Sequence, residues 1–190
     1  MLGDVWPMLL FFSVEWLGFN RNVNTMMHAV ATSLIAVFHV PWMLEAEMGD
    51  ASAWGSRSAK LTLQYMLYDL RHVTQPIYVM HHALAAAACL YVLCEATFAN
   101  LVLFVGVTEI STIFLTAVYM NMCPQLMRRM FVVSFVVCRI LWMGWVISTK
   151  KVNNVCLQTL LMAQTVMNGF WLCQIVRRSR IWIHFAWSRR

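Results

Sequence analysis

Charged residues, glycine and proline are all scarce in this chain of 190 residues. Only 12% of the residues are charged, 61% are apolar, and the mean hydropathy is +0.66. This composition lies outside the usual range of soluble domains and predicts an integral membrane protein, for which lipid is the solvent. Seven glycines and four prolines leave little room for long irregular loops, so we expect one helical bundle and not two domains.

Paired cysteines and concentrated basic stripes are also missing. The six cysteines occur singly along the sequence, so neither a CxxC metal site nor a disulfide framework is indicated. The net charge of +6 lies mostly in predicted loops and in the C-terminal tail. Membrane topology produces such a distribution by itself, so we expect no nucleic-acid partner.

Charges and prolines divide the sequence into six stretches long enough, or nearly long enough, to cross a bilayer. The predicted fold is all-α: a six-transmembrane-helix bundle with an N-terminal interfacial helix and a basic, aromatic C-terminal tail. The second stretch is short and polar and is expected inside the bundle or tilted. One real loop is expected, over residues 45–58. The six stretches lie at about residues 24–44, 59–73, 76–95, 97–120, 127–149 and 154–176.

Three segments follow from this division: an interfacial segment 1–21, the membrane domain 22–177 and an interfacial tail 178–190. Nine basic residues lie on one predicted side of the membrane and four on the other, which places both termini on the cytoplasmic face, or on the matrix face in a mitochondrion. The tail alternates arginine with aromatic residues, as helices among anionic headgroups do, although a plain membrane anchor would look the same. The predicted headgroup-binding residues are Arg177, Arg178, Arg180 and Trp182.

Ionisable residues inside the predicted spans need a partner or a function, because a charge at the bilayer centre costs about 2.5–3.5 kcal/mol on insertion scales. Glu109 and Arg139 lie fifteen residues before and fifteen after Pro124, which is in the turn between the fourth and fifth spans. In an antiparallel hairpin the two residues meet at one depth, roughly 20 Å from the turn. We expect a buried ion pair that serves either as a structural lock or as part of a catalytic site.

A second polar layer is predicted roughly 8 Å below the same membrane face. His28, Asp69 and the adjacent residues His81 and His82 each lie near that boundary of their spans. The layer and the ion pair together predict a polar column from the membrane surface toward its centre. Three further polar residues complete this column: Ser111, Gln164 and Asn168.

Three chemistries suit such a column, beside the simple alternative that these side chains only hydrogen-bond the helices together. His81 or His82, oriented by Asp69, could be the general base that deprotonates an amine or hydroxyl attacking a thioester. A metal site is disfavoured because the HxxxH and HxxHH repeats of membrane di-iron oxygenases are absent. Haem ligation by His28 and His81 is the third alternative. We predict no bound metal or other cofactor.

Six short segments, in order along residues 22–177, resemble the TLC-domain family, the six-helix membrane proteins that include the ceramide synthases. They are VNTMMHAV, QYMLYDL, VMHHALAA, GVTEISTIFL, FVVCRI and MNGFWLCQI. The resemblance implies a six-helix bundle around a polar cavity, with cytoplasmic termini and a location in the endoplasmic reticulum. In ceramide synthases the paired histidines, matched here by His81 and His82, belong to the acyl-CoA-dependent acyltransferase site.

The sequence departs from the ceramide synthases after the histidine pair. Their signature continues into an aspartate-rich stretch, whereas here the fourth span carries the sequence EIST at residues 109–112, as in the smaller TLC-domain proteins linked to membrane lipid composition. The resemblance therefore implies binding of a membrane lipid or acyl chain, with or without its chemical modification. Acyl-CoA is the candidate co-substrate.

The alternative function is a non-catalytic accessory subunit of a multi-subunit membrane complex. Such a subunit would use the bundle as a scaffold and lipid-binding element, for example in the mitochondrial inner membrane, which the charge pattern fits equally well. Membrane lipids are the expected partners in both interpretations. Other membrane-complex subunits are expected partners only in the second.

Overall fold

The computed structural model describes residues 21–45, 53–95, 98–149 and 154–187, with side chains except at residues 40–45 and 178–187. All regular structure in these ranges is helical. A π-helix, Phe135–Leu141, joins the sixth and seventh α-helices. The α-helices are α1 (Arg21–Glu45), α2 (Ala53–Leu70), α3 (Pro76–Cys94), α4 (Ala99–Gly106), α5 (Glu109–Tyr119), α6 (Pro124–Ser134), α7 (Trp142–Thr149) and α8 (Val155–Trp187).

Three of the described helical segments are long and apolar enough to cross a membrane: Pro76–Cys94, Pro124–Thr149 and Val155–Arg177. Helices α4 and α5 make a fourth if they are taken as one span with a bend of 44°. The prediction of an all-helical membrane protein is confirmed at this level. The first and second predicted spans fall on α1 and α2, which are not among these segments.

Helix α2 begins earlier and ends earlier than predicted, at Ala53 and Leu70 instead of about residues 59 and 73. Residues 53–58 of the expected loop are therefore helical. Gly55 permits a close helix contact here, since a Cβ atom at this position would overlap the main-chain carbonyl of Ala99. Residues 53–58, which the hydropathy pattern assigns to a loop, are thus helical where α2 packs closely against α4.

The predicted fourth span is interrupted at Val107 and Thr108. The hydroxyl of Thr108 donates to the carbonyl oxygen of Val105 at 2.7 Å, and its backbone N–H donates to the same oxygen at 2.9 Å. In a regular α-helix that N–H would bond to the carbonyl of Phe104. The indole N–H of Trp142 donates to the Phe104 oxygen instead, at 2.8 Å. Trp142 therefore supplies a hydrogen bond to a backbone carbonyl beside the bend, which suits an apolar environment.

Buried apolar side chains form two clusters, and the smaller one, between α2 and α3, lies close to Asp69 and His82. The main cluster of buried apolar side chains is centred on α4 and α7 and includes Val92 near the end of α3 and Leu157 near the start of α8. Helix α1 packs against α5, α4 and α2, while α8 packs against the π-helix and α3. These contacts bring the start of α1, the end of α2 and the start of α3 together, where Asp69 and His82 lie.

Helix α8 runs without interruption from Val155 to Trp187 and has 33 residues, a length of roughly 50 Å. It therefore continues past the end of the sixth predicted span. Most of the predicted N-terminal interfacial segment, residues 1–20, lies outside the described residues, and so do the side chains of Arg178, Arg180 and Trp182. Arg177, the remaining predicted headgroup ligand, is exposed on α8.

Candidate functional site

Asp69, near the end of α2, is the centre of a charge cluster, and its side chain is only 1% exposed. Arg21, the first residue of α1, binds it through two parallel hydrogen bonds, Nε to Oδ1 at 2.5 Å and Nη2 to Oδ2 at 2.6 Å. Nε2 of His82 on α3 lies 2.8 Å from Oδ2. The hydrogen bonds to Asp69 raise the pKa of Arg21. Three helices are thereby joined at one carboxylate, with arginine in its favoured forked geometry.

His82 is engaged at both ring nitrogens. Its Nδ1 lies 2.8 Å from the carbonyl oxygen of Tyr78, and its Nε2 meets Asp69. A carbonyl and a carboxylate thus occupy the two ring nitrogens, and neither nitrogen is open to a substrate. Asp69 therefore orients His82, as the sequence predicted for one of the two histidines, but in an arrangement suited to holding helices together.

His81 has a different hydrogen-bond partner, which comes from α8. Its Nδ1 lies 3.1 Å from Oε1 of Gln164. Nε2 of Gln164 donates to Oδ1 of Asn168 at 3.4 Å, and Nδ2 of Asn168 donates to the main-chain carbonyl oxygen of Arg139, also at 3.4 Å. A carbonyl only accepts, so this last contact sets the direction of the whole chain of hydrogen bonds. His81 then donates from Nδ1 and carries its lone pair on Nε2, which has no hydrogen-bond partner among the described residues.

Aromatic contacts connect the histidines across the bundle. His28 stacks on Tyr65 with ring centroids 4.0 Å apart, and Tyr65 lies 6.4 Å from His82. His81 lies 5.4 Å from His82 and meets Trp171 of α8 edge-on at 5.0 Å. The structure thus brings together the three histidines that the sequence places in one layer. The described part of the chain holds no group of three or more His, Cys, Asp or Glu side chains that could bind a metal ion.

Glu109 and Arg139 lie at the start of α5 and in the π-helix. Their closest contact, Nη2 to Oε1, is 3.9 Å, and their side chains are 14% and 8% exposed. Shorter hydrogen bonds hold the arginine: Nε donates to Ser111 Oγ at 2.7 Å and Nη2 to Thr112 Oγ1 at 2.9 Å. Hydroxyl groups therefore position the guanidinium, and Glu109 balances its charge.

Sequence reasoning missed several residues of this site. Arg21 was considered only as one of the nine basic residues on one predicted side of the membrane. Its spacing was a usable signal, because Arg21, Asn24 and His28 lie on one helix face at positions i, i+3 and i+7. Sequence reasoning also missed Thr112, which follows Ser111 directly. Trp171 lies in the quoted segment MNGFWLCQI but was given no role, because the sequence does not distinguish it from a lipid-facing tryptophan.

The chain matches no protein-family model, no curated protein and no solved structure.

Proposed function

We propose that this chain is a TLC-like protein of six spans that binds an acyl lipid beside His81 and transfers its acyl group, with His81 as the general base. In this proposal α1 and α2 complete the six spans. Both termini face the cytoplasm if the membrane is the endoplasmic reticulum, or the matrix if it is the mitochondrial inner membrane.

One observation carries the proposal: of the two adjacent histidines, only His81 has a ring nitrogen with a lone pair and without a partner among the described residues. A general base needs such a nitrogen within reach of the proton that it removes. The chain of hydrogen bonds through Gln164 and Asn168 holds His81 in the tautomer that carries its proton on Nδ1. Gln164 thus takes the orienting role that the sequence assigned to Asp69.

In the proposed reaction, the hydroxyl or amine of an acceptor lipid attacks the carbonyl carbon of an acyl thioester such as acyl-CoA. His81 Nε2 removes the proton of the nucleophile as the new C–O or C–N bond forms. The C–S bond then breaks, and the sulfur leaves as a thiol after taking that proton from His81. Asp69 and His82 do not touch the reacting atoms, and their part is to hold α2 and α3 in register.

The test is an assay of thiol release from oleoyl-CoA by the full chain in nanodiscs, with long-chain amino alcohols, lysolipids and diacylglycerol as acceptors. His81→Ala should reduce turnover by about 100-fold or more, the usual contribution of a general base. Arg129→Gln removes an exposed charge from the same predicted membrane face and should leave turnover unchanged.

Unchanged turnover after replacement of both His81 and His82 by alanine would refute the proposed chemistry. Absence of turnover in the wild-type chain, together with its comigration in a stable multi-subunit membrane complex, would favour the accessory-subunit function instead.

A further inference from the structure

One nitrogen of the buried Arg139 guanidinium is unused. Nε and Nη2 donate to Ser111 and Thr112, and Nη2 is also the atom nearest Glu109. Nη1 has no hydrogen-bond partner among the described residues. Nη1 is therefore the guanidinium nitrogen that remains open to an acceptor from a ligand. The side chain keeps 8% of its surface exposed, so a ligand can approach the guanidinium.

Arg139 and His81 lie against the same indole ring. The Cζ atom of Arg139 is 5.9 Å from the ring centroid of Trp171, and the His81 ring centroid is 5.0 Å from it. Gln164 and Asn168 link His81 to the backbone of Arg139 as well. A hydrogen-bond donor and a base, each with one unused nitrogen, therefore share one small region of the bundle.

We infer that Nη1 of Arg139 donates a hydrogen bond to the acyl carbonyl oxygen of the bound ester or thioester. This inference rests on the proposed function. A carbonyl oxygen accepts and does not donate, and its negative charge grows as a nucleophile adds to the carbon, so a fixed cationic donor stabilises it.

The charge balance of the site favours a neutral carbonyl over a carboxylate. Glu109, 3.9 Å from Nη2, offsets the charge of Arg139 without occupying Nη1. An anionic ligand would bring a second negative charge close to Glu109 in an environment of low dielectric, where like charges repel strongly. Arg139 is thus suited to bind the carbonyl oxygen of an uncharged ester or thioester.

The experiment measures binding of three probes to the full chain in a detergent without carbonyl groups: methyl oleate with a 13C-labelled carbonyl, oleyl methyl ether and oleate. The ester should bind about tenfold more tightly than the ether, as expected for a hydrogen bond to a charged donor. The infrared band of the labelled carbonyl should move to lower wavenumber on binding. Both measurements use the wild-type chain, so neither depends on a variant folding.

Two variants assign the effect to Arg139. Glu109→Gln combined with Arg139→Gln removes both charges of the pair and should bring the affinities of ester and ether within about twofold of each other. Glu109→Gln alone keeps Nη1 but removes the negative charge that disfavours an anion, so oleate should gain affinity relative to the ester. Arg129→Gln, an exposed arginine, is the control and should bind all three probes as the wild type does.

Equal binding of ester and ether to the wild type, or a preference for the ester that survives the double replacement, would overturn the inference. Tighter binding of oleate than of the ester would also overturn it, because Arg139 would then serve as a carboxylate site. Failure of all three probes to bind would refute the proposed lipid-binding function itself.

Discussion

Replacing Asp69 by asparagine should destabilise the bundle by about 3 kcal/mol. The asparagine keeps the shape of the side chain but replaces one acceptor atom by a donor. Asp69 accepts hydrogen bonds from Arg21 at 2.5 and 2.6 Å and from His82 at 2.8 Å, so the amide would place one donor against another. Removing one partner of a buried charge pair costs about 3–5 kcal/mol. The low end applies because the Arg21 side chain is 43% exposed and can turn toward water.

The assay is thermal unfolding of the purified chain in detergent. For a chain of this size, 1 kcal/mol corresponds to about 2–4 °C in Tm, so Asp69→Asn should lower Tm by about 6–12 °C. Arg129→Gln, an exposed residue, is the control and should change the free energy of unfolding by less than about 0.5 kcal/mol. A decrease of less than about 2 °C for Asp69→Asn would refute the claim that this carboxylate joins three helices.

Three further changes test other parts of the structure. Trp142→Phe removes the hydrogen bond to the carbonyl of Phe104 beside the helix break, so it should cost about 0.5–1.5 kcal/mol in thermal unfolding; no change would show that the contact is not formed. Gly55→Ala should lower Tm because the added Cβ atom would overlap the neighbouring helix. Gly144→Ala is the control and should not lower Tm, since a Cβ atom there has no neighbour within 4 Å. Equal effects of the two replacements would contradict the close contact at Gly55. Asn168→Leu should let His81 populate both neutral tautomers, seen in its 15N NMR shifts; an unchanged spectrum would refute the directional chain of hydrogen bonds.

The proximity of Glu109 and Arg139 could be predicted from the sequence. Depth depends only on the helix rise and on the position of the turns, and both can be read from prolines and charges. This is why the arithmetic around Pro124 brings Glu109 and Arg139 to one level, where the structure has them 3.9 Å apart.

The direction in which each side chain points could not be predicted in the same way. Helix α3 is apolar on almost every face, so the sequence gives no reason to assign His82 to Asp69 and His81 to Gln164. The two histidines are about 100° apart around the helix, and only the packing of α2 and α8 on either side decides which partner each one meets.

Two irregular backbone segments could not be predicted from sequence patterns either. The break at Thr108 depends on a threonine hydroxyl that competes for a backbone carbonyl, and threonine occurs in many unbroken helices. The π-helix at Phe135–Leu141 contains neither glycine nor proline. Both segments carry residues of the candidate site or adjoin them, as π-helices and broken membrane helices frequently do.

The most direct test of a lipid site beside His81 is photocrosslinking with an acyl lipid that carries a diazirine next to its carbonyl group. After ultraviolet irradiation of the full chain in nanodiscs, the labelled residues are mapped by mass spectrometry. Labels concentrated on α3 near His81 and on α8 near Trp171, and suppressed by excess methyl oleate, are the predicted result. Labels spread evenly over the lipid-facing residues of all helices, with no competition by methyl oleate, would contradict the proposed site.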